Sequence, residues 1–127
     1  MIKDFIILNC IGKNDMIGLR IDKKFFIHEL DYKINKKDQL VLNILNLVKK
    51  HKVNMDDKFS IIVNIGPGSF SAIRTSLSVA KGMKISKNIN IYGFKNSDLK
   101  QFNLVSIEFL LGKGLIQNEL IKPIYLS

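Results

Sequence analysis

The chain has 127 residues, which predicts a single domain large enough to bury its own hydrophobic core. Hydrophobic residues make up 46% of it and charged residues 24%, and no apolar run approaches the roughly 20 residues of a membrane span. The start of the chain has no signal-peptide pattern, so we expect a cytoplasmic protein. The single cysteine, Cys10, excludes an internal disulfide and any multi-cysteine metal site.

The formal net charge of +9 has two interpretations. Basic surfaces attract the phosphate backbone of nucleic acids, which would suggest direct contact with RNA. Alternatively, the abundance of Lys, Ile and Asn reflects an AT-rich coding sequence. Only Arg20 and Arg74 among the twenty basic residues are arginines, whereas phosphate contacts favour the fork-shaped guanidinium group. The composition therefore favours the second interpretation without excluding the first.

Three β-branched and apolar runs at the start of the chain predict three strands. They cover Phe5–Asn9, Met16–Ile21 and Phe25–Leu30. The polar spacer between the second and third runs, residues 22–24, has the length of a β-hairpin turn. We therefore expect these three strands to pair antiparallel to one another.

Residues 38–52 contain neither Gly nor Pro and predict a helix of about four turns, with Asp38 as its N-terminal cap. This helix is unusually apolar, because only Asn43 and Asn46 are polar within residues 40–48. Its apolar residues cover more than half of the helix circumference. Such a helix either lies beneath another element or docks on a partner chain, and the sequence leaves both arrangements open.

A buried strand is predicted over Phe59–Ile65, and a helix is predicted from Ser69 to about Lys84. We expect the main apolar face of this helix to pack on the sheet; it consists of Phe70, Ile73, Leu77 and Ala80. A second face carries small residues at helical spacing, namely Ser71, Thr75, Ser78 and Gly82. Small residues allow another helix to approach closely, although a merely solvated face has the same pattern.

Two more elements complete the pattern, a strand over Asn88–Phe94 and a helix over Val105–Leu111 that ends near Gly112 or Gly114. Residues 121–127 are predicted to be extended. The resulting order βββαβαβα predicts an α/β fold with a mixed five-stranded sheet, in which the first three strands are antiparallel and the later two are parallel.

The segment Gly66-Pro67-Gly68-Ser69 joins the buried strand to the second helix. Glycines flanking a proline allow a sharp reversal, and Ser69 can cap the helix. Free N–H groups at a helix N-terminus bind phosphates. However, the segment lacks the Lys and Ser/Thr of G-x-x-x-x-G-K-[ST], and Lys81 lies more than three turns into the helix. A weak anion site and a rigid corner both remain open, and we predict no catalytic residue, metal site or cofactor.

Residues 66–74, together with Leu77 and residues 80–82, closely resemble the G-P-G-S-F-T-G-[LI]-R…A-[KR]-G signature of the TsaB family. TsaB is the non-catalytic dimerisation subunit of the bacterial machinery that makes threonylcarbamoyladenosine in tRNA. Three shorter stretches also match, at Ile7-Leu8-Asn9, Ile91-Tyr92-Gly93-Phe94 and Pro123-Ile124-Tyr125-Leu126. The chain departs from the family at four positions: Asn9 replaces an acidic residue, Ser71 and Ala72 replace Thr-Gly, and Ser127 replaces a final Arg.

The resemblance implies a glycoprotease-like member of the actin, sugar-kinase and Hsp70 type of fold, which is built of two ribonuclease-H-like lobes. The predicted element order accounts for one such lobe, so we expect residues 1–127 to form a shortened single-lobe version without the second lobe. The implied function is a non-enzymatic scaffold or activator that pairs with the catalytic subunit TsaD through a four-helix interface. TsaD transfers threonylcarbamoyl to the adenosine next to the tRNA anticodon. The ATPase TsaE is a further candidate partner, and contact with tRNA would be indirect.

The resemblance assigns two sets of residues to this function. The signature loop consists of Gly66, Pro67, Gly68, Ser69, Phe70 and Arg74. The partner interface consists of Val41, Leu45 and Val48 from the first helix and Ala72, Thr75, Ser76, Val79 and Gly82 from the second. On this assignment, Val79→Glu should abolish pairing and leave the monomer folded. The alternatives are a homodimer through the same helices, and an independent nucleotide-binding protein or enzyme that uses the glycine-proline loop.

Overall fold

The computed structural model describes residues 2–30 and 36–117, and of residues 36–38 it describes the backbone only. Within these ranges six strands form one sheet in the order β3-β2-β1-β4-β5-β6. The strands are β1 (Phe5–Asn9), β2 (Met16–Ile21), β3 (Lys24–Glu29), β4 (Ser60–Asn64), β5 (Asn90–Phe94) and β6 (Ile116–Gln117).

The strand directions follow the predicted mixed pattern. β1 pairs antiparallel with β2, which pairs antiparallel with β3. β4 lies between β1 and β5 and runs parallel to both. All five residues of β4 are buried, as expected for a central parallel strand that is covered on both faces.

The sheet has one strand more than predicted. β6 pairs antiparallel with the end of β5, where Phe94 lies opposite Ile116. The prediction of five strands was wrong because β6 has only two residues, too few to produce a hydrophobic period in the sequence.

The described helices are α1 (Lys36–Lys50), α2 (Phe70–Lys87) and α3 (Leu104–Gly112), with a short 3-10 helix over Asn96–Asp98. The predicted positions of the three main helices are confirmed, with shifted ends. α1 begins two residues before Asp38, so Asp38 lies within the helix and does not cap it. α2 continues to Lys87 and is closed by Asn88 in the left-handed conformation, where a strand had been predicted to begin.

The helices cover the two faces of the sheet. Because side chains alternate along a strand, Ile6 and Leu8 of β1 point to one face while Phe5 and Ile7 point to the other. The first face packs against α1 and α2, whose core residues are Leu40, Ile44, Ile73, Leu77 and Ala80. The second face packs against Ile107 and Leu110 of α3. The domain therefore has three layers, with α1 and α2 packed side by side on one surface.

In the part of the chain that the structure describes, no helix is long and apolar enough to cross a membrane. The match at residues 123–126 lies outside the described residues.

Candidate functional site

The signature loop follows β4 and turns the chain into α2. Gly66 has φ +102°, a backbone conformation that L side chains rarely adopt. Its N–H donates to the Asn64 side-chain oxygen over 2.9 Å, and its carbonyl accepts from the Asn96 N–H over 2.8 Å. The predicted sharp reversal at Gly66 is confirmed, and hydrogen bonds to two neighbouring segments hold it in place.

Gly68 is required because there is no space for a side chain at this position, whereas the sequence suggested that its role was to allow a sharp turn. A Cβ atom at this position would lie 2.6 Å from Cβ of Ile11 and 3.0 Å from its carbonyl oxygen. The next N–H, that of Ser69, donates to the same carbonyl over 2.9 Å. Gly68 therefore lets the signature loop press against the loop between β1 and β2, and positive φ is not the reason for this glycine.

The loop between β1 and β2 also has a glycine, Gly12, at this contact. Gly12 has φ +97°, and a Cβ atom there would lie 2.6 Å from Cβ of Ser69. The Gly12 N–H donates over 2.9 Å to a carboxylate oxygen of Asp15, whose side chain is itself buried. Glycines on both loops thus allow the two backbones to lie against each other at the start of α2.

Ser69 caps α2, as predicted. Its hydroxyl oxygen accepts a hydrogen bond from the Ala72 N–H over 3.5 Å, and its carbonyl accepts from the Ile73 N–H over 3.0 Å. The Ser69 and Ser71 hydroxyl oxygens lie 3.3 Å apart. The direction of α2 is therefore set by a residue that is also hydrogen-bonded to the loop between β1 and β2.

Two N–H groups of the signature loop, those of Gly66 and Ser69, donate to acceptors inside the protein. A phosphate cradle needs several such groups that point at the ligand. Four N–H donors at this junction already have acceptors in the chain, namely those of Ile65, Gly66, Ser69 and Ala72. The geometry therefore favours the rigid corner over the anion site.

Sequence reasoning missed a cluster of three asparagines beside the loop. Asn64, fully buried at the end of β4, donates from its amide nitrogen to the side-chain oxygens of Asn9 over 2.7 Å and Asn96 over 3.0 Å. Its own side-chain oxygen accepts from the Gly66 N–H. The sequence offered one sign of this cluster, since Asn9 and Asn64 each end an apolar strand run. The cluster joins the ends of β1 and β4 to the segment after β5.

The carboxyl ends of parallel strands are where open α/β sheets usually bind ligands. Here that position holds neutral amides, whereas protein sites for divalent metal ions normally include carboxylate, imidazole or thiolate ligands. Within residues 2–30 and 36–117, no group of three or more His, Cys, Asp or Glu side chains is placed to hold a metal ion. This donor set does not fit a divalent metal site.

The outer face of α2 begins with Phe70 and Arg74. Phe70 is 54% exposed, so the prediction that it packs on the sheet was wrong. It shares a helix face with Ile73 but stands at the first helical position, next to the loop. The Arg74 guanidinium lies 5.7 Å from the centre of its ring, within the range of a cation–π contact. The face that packs on the sheet therefore starts at Ile73.

The predicted interface residues of α2 divide into two groups. Ala72, Ser76 and Val79 are buried within the chain itself, at 5% exposure or less. Thr75 is half-buried, and Gly82 is exposed with open space around it. Val79 belongs to the core under α1 and α2, so it does not lie on an exposed interface, which the Val79→Glu prediction had assumed.

The predicted interface residues of α1 also differ in exposure. Val41 and Val48 are partly buried against the core, whereas Leu45 is 46% exposed. Leu42, which was not among the predicted residues, is 53% exposed. An apolar surface therefore remains uncovered on α1. We define the helix face as these exposed and half-buried residues of α1 and α2: Leu42, Leu45, Ser71, Thr75, Ser78 and Gly82.

No family model and no curated protein sequence matches the chain. Solved structures do match it. YeaZ from Pseudomonas aeruginosa superimposes with a TM-score of 0.64 and 16% sequence identity, over 88% of this chain and 50% of that chain. A protein with similarity to peptidase YeaZ, from the same organism, superimposes with a TM-score of 0.65 and 16% identity, over 76% of this chain and 44% of that chain. The chain has a YeaZ-like fold.

This likeness shows the fold alone, because the sequence identity is 16%. The fold agrees with the one that the resemblance implies, and the predicted ribonuclease-H-like α/β fold class is confirmed. The chain spans about half the length of the YeaZ structures that it matches. The shortened single-lobe form stays a prediction. Thermus thermophilus RuvC also superimposes, but with a TM-score of 0.45, which is too low to bear on the function.

Proposed function

We propose that the chain is a TsaB-like, non-catalytic scaffold subunit that acts in the cytoplasm. In this role it pairs with the catalytic subunit TsaD while threonylcarbamoyladenosine forms next to the tRNA anticodon. The observation that carries the proposal is the exposed helix face, whose α2 part directly follows a TsaB-type signature loop on a YeaZ-like fold. TsaE as an additional partner, and indirect contact with tRNA, belong to the same proposal.

The helix face has the two properties that helix-to-helix docking requires. Leu42 and Leu45 are about half exposed, and burying apolar surface contributes about 25 cal/mol per Å². Beside them, the small residues of α2 leave space for a partner helix, since nothing lies within 4 Å of a Cβ atom built at Gly82. Two helices of TsaD packed on α1 and α2 would complete a four-helix interface.

In this proposal the signature loop fixes the direction of α2 and has no catalytic role. The hydrogen bonds from the Asn96 N–H to the Gly66 carbonyl and from the Ser69 N–H to the Ile11 carbonyl hold the start of α2 against two other segments. A fixed helix direction lowers the entropy lost when the helix docks on a partner. The alternative of a nucleotide-binding loop is disfavoured, because four N–H groups at this junction already have acceptors within the chain.

Two matched variants test the proposal. Leu45→Glu places a carboxylate on the helix face, and Val105→Glu places one on α3, across the sheet, where Val105 is 79% exposed. Because both positions are exposed, both variants should fold like the wild-type chain. The carboxylate would lose its hydration at the apolar centre of the interface, a cost that an ion pair with Lys49 does not offset, so Leu45→Glu should fail to bind TsaD.

The measurement is co-elution of each purified variant with TsaD in size-exclusion chromatography. We expect the wild-type chain and Val105→Glu to co-elute with TsaD, and Leu45→Glu to elute alone. Equal behaviour of the two variants would contradict the placement of the interface on α1 and α2.

A further inference from the structure

Apart from Asp38 in the first turn of α1, all charged residues of the two helices that carry the helix face are basic. α2 contains Arg74, Lys81, Lys84 and Lys87, and no Asp or Glu. Residues 39–50 of α1 contain Lys49 and Lys50, and again no acidic residue. All six of these basic side chains are exposed. Any surface that docks on these helices must therefore approach an excess of positive charge.

On α2 two of the four basic residues, Arg74 and Lys81, lie beside the docking residues. At 100° per residue, Arg74 and Lys81 are about 20° apart around the helix, and both lie about 40–60° from Ser78. They therefore form a line that borders the stripe of small residues.

The same arrangement occurs on α1. Lys49 lies about 20° from Leu42 and about 40° from Leu45 around the helix. Among the described residues, the ion pair that forms is between Arg20 and Glu108, 3.5 Å apart, and neither Lys49 nor Lys81 takes part in one. The rim of the helix face is therefore basic, with charges that no described acidic side chain neutralises.

We infer that the helix face fits a partner helix surface that is apolar at its centre and acidic at its rim, and that it does not fit a second copy of this chain. This inference rests on the proposed function and names the chemistry of the TsaD surface that would dock here. A two-fold symmetric homodimer would place the same basic rim on both sides of the interface. An acidic rim would neutralise these charges and also accelerate the encounter.

The complex with TsaD and a homodimer of this chain should respond to salt in opposite directions. Between 0.1 M and 1 M salt the screening length falls from about 10 Å to about 3 Å. Attraction between a basic and an acidic rim is lost under these conditions, so the complex with TsaD should weaken. Repulsion between two basic rims is lost as well, so any self-association of the isolated chain should strengthen.

Two charge reversals separate a local rim effect from the effect of net charge. Lys81→Glu acts at the rim, and Lys113→Glu acts at the end of α3, across the sheet, where Lys113 is also exposed. Both variants change the net charge equally. At 0.1 M salt, Lys81→Glu should slow association with TsaD about tenfold, and Lys113→Glu less than about threefold, and this difference should disappear at 1 M salt.

The experiment combines stopped-flow association kinetics with sedimentation velocity of the isolated chain at both salt concentrations. If the complex forms but the two variants associate equally fast, the inference is overturned and the proposed function stands. Self-association that is strong at 0.1 M salt and weakens at 1 M salt would also overturn the inference. If no complex with TsaD forms at either salt concentration, the proposed function fails and this inference fails with it.

Discussion

The same substitution at two glycines of the signature stretch should change the free energy of unfolding in opposite directions. At Gly68, the Cβ atom of alanine would lie 2.6 Å from Cβ of Ile11 and 3.0 Å from its carbonyl oxygen. Over-packing of this kind costs about 1–3 kcal/mol. Alanine also lowers the conformational entropy of the unfolded chain, which stabilises the folded state by about 0.4–1 kcal/mol because φ at Gly68 is accessible to alanine. The two effects leave a loss of up to about 2.6 kcal/mol, and because the close contacts are with Cβ and the backbone oxygen of Ile11, which cannot move away cheaply, we expect Gly68→Ala to lie in the upper half of this range.

Gly82 lies in the interior of α2, and nothing is within 4 Å of a Cβ atom built there. Alanine is favoured over glycine inside a helix by about 1 kcal/mol, and no contact opposes this gain. Gly82→Ala should therefore raise stability by about 0.5–1 kcal/mol.

The assay is urea unfolding of the wild-type chain and both variants, followed by circular dichroism at equal protein concentration. The midpoint should fall for Gly68→Ala and rise for Gly82→Ala, with unchanged slopes. If Gly68→Ala is as stable as the wild-type chain, the two loops do not lie against each other as described. In that case contact between the two loops does not hold the start of α2 in a fixed direction.

Two more predictions concern buried side chains. Val79→Glu should give an unfolded or insoluble chain by circular dichroism, because Val79 is 5% exposed and a buried charge costs an amount comparable to the whole stability of a domain; a well-folded variant would show that Val79 is accessible to a partner. Asn64→Leu removes the hydrogen bonds to Asn9, Asn96 and the Gly66 N–H and should cost about 2–3 kcal/mol in urea unfolding; a loss below about 0.5 kcal/mol would show that the cluster does not hold the loop.

The parts of the fold that the sequence predicts are those with long regular patterns. β4 is a continuous apolar run after a polar stretch, and α2 begins at a serine cap that directly follows a glycine-proline turn. β6 has two residues and owes its existence to pairing with β5, so no local pattern could reveal it.

The site was less predictable, because its contacts join distant parts of the chain. The need for glycine at position 68 comes from Ile11, and the position of Asn64 comes from parallel pairing of β1 and β4. The exposure of Phe70 and the burial of Val79 likewise depend on where α2 lies on the sheet and against α1. Helical spacing gave the small-residue stripe of the helix face, and only packing shows which of its neighbours are exposed.

We propose that this chain activates TsaD through its helix face. The most direct measurement is threonylcarbamoyl transfer to tRNA by purified TsaD supplied with threonylcarbamoyl adenylate, with and without this chain. We expect the wild-type chain and Val105→Glu to stimulate transfer, and Leu45→Glu to have no effect. Transfer that is no faster with the wild-type chain than without it would contradict the account.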